Sequence, residues 1–187
     1  MSKGYILSAA RTPIGKFLGS LSPFSAPKLG GFAIKAAVER AGVEKERIDE
    51  VIMGQVVQAG CGQNPARQAL IHAGLNPETN ALTINKVCGS GLKAIMLASQ
   101  SIQLGEADIV VAGGMESMTN APYYLEKART EGYRYGDGTL VDGVIKDGLW
   151  RAFNGSHMGN LAEYTAKKGN VTREEADLFA FNSQDRA

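Results

Sequence analysis

The chain has 187 residues, of which 44% are apolar and 21% charged, and its formal net charge is +1. This balance is typical of a globular protein and gives no electrostatic basis for binding nucleic acid or an anionic membrane. No apolar run approaches the ~20 residues of a membrane span, and the first residues lack the pattern of a signal peptide. We therefore expect a cytoplasmic protein.

Strand-like and helix-like patterns alternate along the first part of the chain. The predicted elements are a strand at 5–7, a helix at 28–42, a strand centred on 51–53, a helix at 64–74, a strand at 81–87, a helix at 91–104 and a strand at 107–116. The order β-α-β-α-β-α-β indicates an α/β fold with a parallel sheet.

Cap residues support two of these helices. Pro27 fits the first turn of the helix at 28–42, and Gly42 fits its end. Asn64 is the predicted N-cap of the next helix, with Pro65 as its first residue. The residues predicted to share one apolar face of the first helix are Leu29, Phe32, Ala33, Ala36 and Ala37.

The pattern changes after Met118. Residues 120–159 are rich in glycine, tyrosine and charge, and the turn residues at 130–143 predict a hairpin or a protruding loop. Thr172 and Glu175 form a predicted capping box for a helix that continues through Phe181. Because this helical pattern is still running at Ala187, we expect the chain to be the front part of a longer protein.

Cys88 lies at the joint between the predicted strand at 81–87 and the predicted helix at 91–104. Ligands and chemistry collect at the carboxyl ends of parallel strands, and the first N–H groups of a helix favour negative charge. With Gly89 and Gly91 to permit a sharp turn, the arrangement resembles a nucleophile elbow. Two alternatives stay open: a buried structural cysteine, and a dinucleotide-binding loop that matches G-x-G-x-x-A at 89–94, with Glu116 as its acidic residue.

Longer blocks favour the nucleophile interpretation. NKVCGSGLKA at 85–94 resembles the nucleophile motif of the thiolase family. Three further blocks resemble that family in order and spacing: SAARTPIGKFLGSL at 8–21, GQVVQAGCGQNPARQAL at 54–70 and VVAGGMESMTNAPY at 110–123. DGLWRAFNGSHMGNLAE at 147–163 resembles the family's substrate-loop segment. The resemblance implies a thiolase N-terminal domain at 1–118, without its last strand, and part of an inserted loop domain at 119–187.

The resemblance also implies a reaction. Thiolases cleave or form a carbon–carbon bond between acyl groups on coenzyme A, as when two acetyl-CoA give acetoacetyl-CoA and coenzyme A. The implied nucleophile is Cys88, His157 and Met158 line the acyl/CoA pocket, and Leu149 touches the coenzyme A portion. The His-Met-Gly form resembles acetoacetyl-CoA-type members, although Arg151 stands where such members often carry an acidic residue.

The remaining expectations concern cofactors, partners and completeness. The resemblance implies coenzyme A thioesters as substrates with no separate cofactor, and a homodimer or homotetramer. It assigns the activating histidine and a second cysteine to the family's second half, so we expect this chain alone to be inactive. His72 and Cys61 are predicted to be structural, and the spacing of histidines and cysteines predicts no metal site. A non-catalytic assembly module and a ketoacyl synthase-like condensing enzyme are the alternative functions.

Overall fold

The computed structural model of the chain describes residues 3–186. These residues form two compact units, one ending at Gly148 and the other beginning at Leu149. Residues 119–148 therefore belong to the first unit by compactness. The expected boundary at residue 118 concerns the domain organisation of the thiolase family, and it stays a prediction.

The first unit is built on a parallel sheet of three strands, β1 (Glu50–Gly54), β2 (Asn80–Ile84) and β3 (Val110–Gly114), in the order β2-β1-β3. Gly54 pairs with Ile84 on one side and with Gly114 on the other. The last residues of all three strands are therefore level, so that their carboxyl ends meet along one edge of the sheet. The predicted α/β fold with a parallel sheet is confirmed.

Three helices cover the sheet: α1 (Ala26–Ala41), α2 (Pro65–His72) and α3 (Ser90–Leu104). Val51 and Met53 belong to one buried cluster with residues of α1 and α2. Ile52 belongs to a second cluster with Ala94 and Ala98 of α3. Because successive side chains of a strand point to opposite faces, α1 and α2 lie on one face of the sheet and α3 lies on the other.

The predicted helix ends are confirmed. The Asn64 side chain accepts a hydrogen bond of 3.2 Å from the backbone N–H of Arg67, and Pro65 is the first residue of α2. Gly42 and Gly105 follow α1 and α3 in the left-handed conformation, which glycine adopts without a steric penalty.

The predicted strand at 5–7 is wrong. Its side chains are exposed, and Ile6 keeps 84% of its accessible surface. A strand needs a ladder partner, and the residues that follow are tied to α1 instead of to the sheet. The Ser8 hydroxyl donates to the carbonyl of Ala37 at 2.5 Å, and the Arg40 guanidinium donates to the carbonyl of Ala9 at 2.9 Å.

The buried face of α1 also differs from the predicted apolar face. Phe32 is half exposed, and the buried stripe instead contains Gly31, Ile34 and Val38. A Cβ at Gly31 would lie 2.7 Å from the Cβ of His72, so the absence of a side chain lets α1 approach α2 closely. The predicted face was chosen by its apolar side chains, and this criterion does not detect a helix contact that is made through glycine.

After β3 the chain forms a short antiparallel pair, β4 (Tyr123–Tyr124) and β5 (Val141–Asp142). A π-helix at Ile145–Leu149 follows, and its last residue is the first residue of the second unit. β4 and β5 form a hairpin, as the turn residues at 130–143 predict, and Tyr135 in its connection at 125–140 is fully exposed. Within residues 3–186, no helix is both long and apolar enough to cross a membrane.

The second unit contains α4 (Met158–Lys168) and α5 (Arg173–Asp185). The predicted capping box is confirmed. Thr172 Oγ1 accepts from the Glu175 backbone N–H at 3.2 Å, and the Glu175 carboxyl accepts from the Thr172 N–H at 2.8 Å.

Candidate functional site

The start of α3 sits directly on the carboxyl-end edge of the sheet. A Cβ on Gly54 would lie 2.5 Å from the carbonyl carbon of Ser90 and 2.7 Å from the nitrogen of Gly91. The Cα of Gly91 in turn lies 3.4 Å from the position that a Cβ on Gly114 would take. Glycine at the ends of β1 and β3 therefore leaves room for the helix to begin at the edge where ligands collect in α/β sheets.

The turn between β2 and α3 is made by a residue that sequence reasoning overlooked. Val87 has φ 48°, in the left-handed region, whereas Gly89 has φ −89° and an ordinary conformation. The positive φ of the turn is therefore at Val87 and not at Gly89, while the expectation that Gly89 and Gly91 permit the turn stays a prediction. A β-branched residue is rare at positive φ, and such strain persists only where surrounding contacts impose it.

Ser90 imposes much of this conformation. Its side chain is buried, and its Oγ accepts a hydrogen bond of 2.8 Å from the backbone N–H of Lys86. The same hydroxyl donates to the carbonyl of Val87 at 2.6 Å. The only signal in the sequence was a serine at a helix start, where its hydroxyl commonly bonds nearby backbone groups.

Cys88 lies inside this turn, one residue before the N-cap Gly89 of α3. Its side chain is exposed and its thiol is free. A structural cysteine would be buried, so the exposure argues against that alternative. The site offers an accessible sulfur at the carboxyl end of a parallel strand and beside a helix start. This is the geometry of a nucleophile elbow, in which a thiol can attack an electrophilic carbon.

Glu116, the acidic residue that a dinucleotide-binding loop would use, is already bonded to the backbone. Glu116 Oε2 accepts hydrogen bonds from the backbone N–H groups of Val56 at 2.9 Å and Val57 at 3.2 Å. The carboxyl group that would hold a ribose hydroxyl is therefore turned towards the end of β1 and engaged there.

Cys61 and His72 lie outside this elbow. The Cys61 sulfur is half-buried and lies 3.1 Å from the side-chain nitrogen of Gln55, a residue that is 1% exposed. His72 is exposed at the last position of α2. Among residues 3–186, no three His, Cys, Asp or Glu side chains gather as metal ligands would.

The other three predicted site residues belong to the second unit. Trp150 and His157 form an isolated antiparallel bridge, and their rings meet edge to face at a centroid distance of 5.9 Å. Because the backbone of Trp150 pairs with that of His157, Leu149 and the His157–Met158 pair lie on neighbouring stretches of the chain. Cys88 is in the first unit, so its surroundings and those of the other three residues are described separately.

His157 also begins α4. Its Nδ1 accepts a hydrogen bond of 3.0 Å from the backbone N–H of Gly159, which satisfies one free N–H of the first helical turn. In the neutral ring the proton is then on Nε2, which remains a donor. His157 is therefore the capping residue of α4, and its contact with substrate stays a prediction.

Known proteins similar to this chain cover it almost completely. The sequence model of a family described as "Thiolase, N-terminal domain" matches residues 4–187. An acetyl-CoA acetyltransferase of Cupriavidus necator is 58% identical over 187 residues, which are 100% of this chain and 47% of that protein. The acetyl-CoA acetyltransferase of Escherichia coli K12 is 53% identical over 187 residues, 100% of this chain and 48% of that protein.

A mitochondrial acetyl-CoA acetyltransferase of Homo sapiens is 54% identical over 182 residues, which are 97% of this chain and 42% of that protein. The chain thus spans about half the length of the curated relatives it matches. A crystal structure of Acat5 thiolase from Ascaris suum in complex with coenzyme A is 43% identical, with a TM-score of 0.93, and the match covers 100% of this chain and 48% of that one.

Proposed function

This chain belongs to the thiolase family, and we propose that it supplies the acyl-accepting cysteine of an acetyl-CoA C-acetyltransferase. The family match over residues 4–187 confirms the family predicted from the sequence, and the high structural similarity confirms the predicted thiolase-like fold. The names of the relatives support acetyl-CoA as the substrate, and the coenzyme A in the similar crystal structure supports a coenzyme A thioester.

The observation that carries the proposal is the exposed thiol of Cys88 on a strained turn between β2 and α3. The sulfur attacks the carbonyl carbon of acetyl-CoA, the bond from that carbon to the sulfur of coenzyme A breaks, and the thiol proton leaves with coenzyme A. Attacking and leaving atoms are both thiol sulfurs, so the transfer is nearly balanced in energy. The product of this half-reaction is acetyl-Cys88.

The second half-reaction forms the carbon–carbon bond. The enolate of a second acetyl-CoA attacks the acetyl group on Cys88, which releases the thiolate and gives acetoacetyl-CoA. The reverse direction is thiolysis of acetoacetyl-CoA by coenzyme A. Neither direction oxidises or reduces the substrate, so the electron balance requires no redox cofactor. This supports the expectation that coenzyme A thioesters are the only small molecules involved.

Leu149, His157 and Met158 are the proposed residues for the acyl/CoA pocket. The bridge between Trp150 and His157 supports this assignment, because it fixes the imidazole next to an aromatic surface. The Nε2–H of His157 is free of the cap contact and can donate to a carbonyl of the substrate.

Assembly is the second part of the proposal. α3 exposes Leu92, Ile95 and Met96, and an apolar helix face exposed to this extent favours burial against other protein. This surface also supports the alternative of a non-catalytic thiolase-fold module. A homodimer or homotetramer is proposed, with the exposed loop around Tyr135 as a further contact. The cytoplasm is the proposed compartment, which the two free thiols support.

Acetylation of Cys88 by acetyl-CoA, followed by intact-mass analysis, tests the proposed function. A chain that accepts no acetyl group at Cys88 would favour the assembly module instead. A ketoacyl synthase-like condensing enzyme would accept the acyl group on the same thiol, so comparing acetyl-CoA with an acyl carrier protein thioester separates the two kinds of enzyme.

A further inference from the structure

Val87 directly precedes Cys88 in the turn between β2 and α3. Its φ of 48° is strained for a β-branched side chain, and its carbonyl belongs to the peptide unit that joins it to Cys88. The Val87 carbonyl accepts from the Ser90 hydroxyl, as described above. The Val87 N–H donates to Asn85 Oδ1 at 2.9 Å. The N–H of Val87 is therefore bonded by the Asn85 side chain and its carbonyl by the Ser90 side chain.

Asn85 is itself held by the end of β1. Its Nδ2 donates to the carbonyl of Val56 at 3.3 Å. That carbonyl belongs to the same peptide unit as the N–H of Val57, which donates to Glu116 Oε2 at 3.2 Å. One peptide unit thus bonds Asn85 at its oxygen and Glu116 at its nitrogen. Hydrogen bonds in such a chain polarise and strengthen one another.

The result is a relay across the carboxyl ends of all three strands. Glu116 follows β3, Val56 follows β1, and Asn85 follows β2. The second oxygen of the Glu116 carboxyl, Oε1, is buried and has no hydrogen-bond partner among residues 3–186. The carboxyl group is thus committed to the backbone of residues 56 and 57, and removing it would leave those N–H groups without an acceptor.

We propose that Asn85, supported by Glu116, is a positioning residue that aims the sulfur of Cys88 at the acyl carbon of the thioester. This inference rests on the proposed function. Neither residue touches the reacting atoms; both act through the backbone of Val87. Attack on a carbonyl requires a defined direction of approach, and a misplacement of ~1 Å can cost about 10²-fold in rate. Alkylation of an exposed thiol by a small reagent has no such requirement from the protein.

The experiment measures two reactions of Cys88 in the chain of residues 1–187. Acetyl transfer from acetyl-CoA is followed by intact mass, and alkylation by iodoacetamide is followed in parallel. Asn85→Ala should lower the ratio of the acetylation rate to the alkylation rate by about 10- to 100-fold. Asn80→Ala, an exposed asparagine at the other end of β2, is the matched control and should leave the ratio unchanged.

Conservative variants separate positioning from loss of folding. Asn85→Asp keeps the acceptor for the Val87 N–H but loses the donor to the Val56 carbonyl, so its ratio should lie between those of the wild type and Asn85→Ala. Glu116→Ala should lower the ratio in the same direction as Asn85→Ala, whereas Glu116→Gln keeps one oxygen acceptor and should lower it less. The double variant of Asn85→Ala and Glu116→Ala should lose little more than the worse single variant, because both act through one peptide unit.

The outcomes are distinct. A wild-type chain that is alkylated but never acetylated at Cys88 overturns the proposed function and this inference with it. Acetylation in the wild type with an unchanged ratio in Asn85→Ala overturns the inference alone. An equal fall of both rates, or strictly additive losses in the double variant, would also overturn it. If an alanine variant fails to show a cooperative melt, the comparison of the wild type with Asn85→Asp decides. A lower ratio of acetylation to alkylation in Asn85→Asp supports the inference, and an equal ratio rejects it.

Discussion

Gly54 and Ser90 are in direct backbone contact: a Cβ on Gly54 would lie 2.5 Å from the carbonyl carbon of Ser90. This contact seats the first turn of α3 on the end of β1. The nearest atoms that a new side chain would meet are two backbone atoms and the Cβ of Ser90, none of which can rotate away. Cys88 lies two residues before Ser90, so its position depends on Gly54, which is 34 positions earlier in the chain.

We expect Gly54→Ala to destabilise the fold. Forcing atoms into a filled site typically costs ~1–3 kcal/mol, and here the helix itself must move. The matched control is Gly91→Ala in the same junction, where the nearest atom to a new Cβ is 3.7 Å away. Urea unfolding of both variants measures the difference, and equal midpoints for Gly54→Ala and the wild type would contradict the contact.

Several elements of both units could be predicted from local sequence patterns. The caps at Asn64 and Thr172 and the apolar run of β1 each carry a signal that acts over a few residues. The strand at 5–7 failed because pairing depends on a distant partner. The left-handed Val87 was not predicted: local side-chain hydrogen bonds with Ser90 and Asn85 hold it there, although a β-branched residue rarely adopts positive φ.

Tyr124 should give a late step in an alkaline titration. Burial, the hydrogen bond that its hydroxyl donates to Asp147 and the charge of Asp147 raise the pKa of Tyr124 from 10.0 to about 12. Because the folded pKa is raised, the neutral phenol stabilises the fold fully below pH 10.0, and this contribution is lost as the pH rises towards about 12.

Ultraviolet absorbance of tyrosinate measures this titration. Tyr124→Phe should remove the step near pH 12, whereas Tyr135→Phe, in the exposed loop, should leave it in place. A late step that persists in Tyr124→Phe would show that another group is responsible.

The exposed face of α3 should bind a hydrophobic dye. Leu92, Ile95 and Met96 keep 67%, 45% and 49% of their accessible surface. Replacing Leu92 and Met96 together by Gln should lower the dye fluorescence clearly and should reduce any self-association seen by sedimentation. Tyr135→Gln, in the loop, serves as the control. Wild-type chain that sediments as a dye-silent monomer with a cooperative melt would contradict an adhesive role for this face.

Residues 1–187 alone should show no steady-state thiolysis of acetoacetyl-CoA. The resemblance assigns the activating histidine and the second cysteine to the family's second half, and the Cys61 sulfur already contacts the Gln55 amide. A spectrophotometric assay with coenzyme A decides, with the acetyl-CoA acetyltransferase of Escherichia coli as the positive control. A comparable kcat from residues 1–187 would refute the expectation.

The most direct test of the account is the intact mass of the chain after incubation with acetyl-CoA. The half-reaction forms no carbon–carbon bond and does not need the second cysteine, and without the activating histidine we expect it to be slower but still specific to Cys88, so it can occur where turnover does not. We predict one added acetyl group on the wild type and on Cys61→Ser, and none on Cys88→Ser. An acetyl adduct that survives in Cys88→Ser, or a wild type that accepts none, would contradict the assignment of Cys88 as the acyl acceptor.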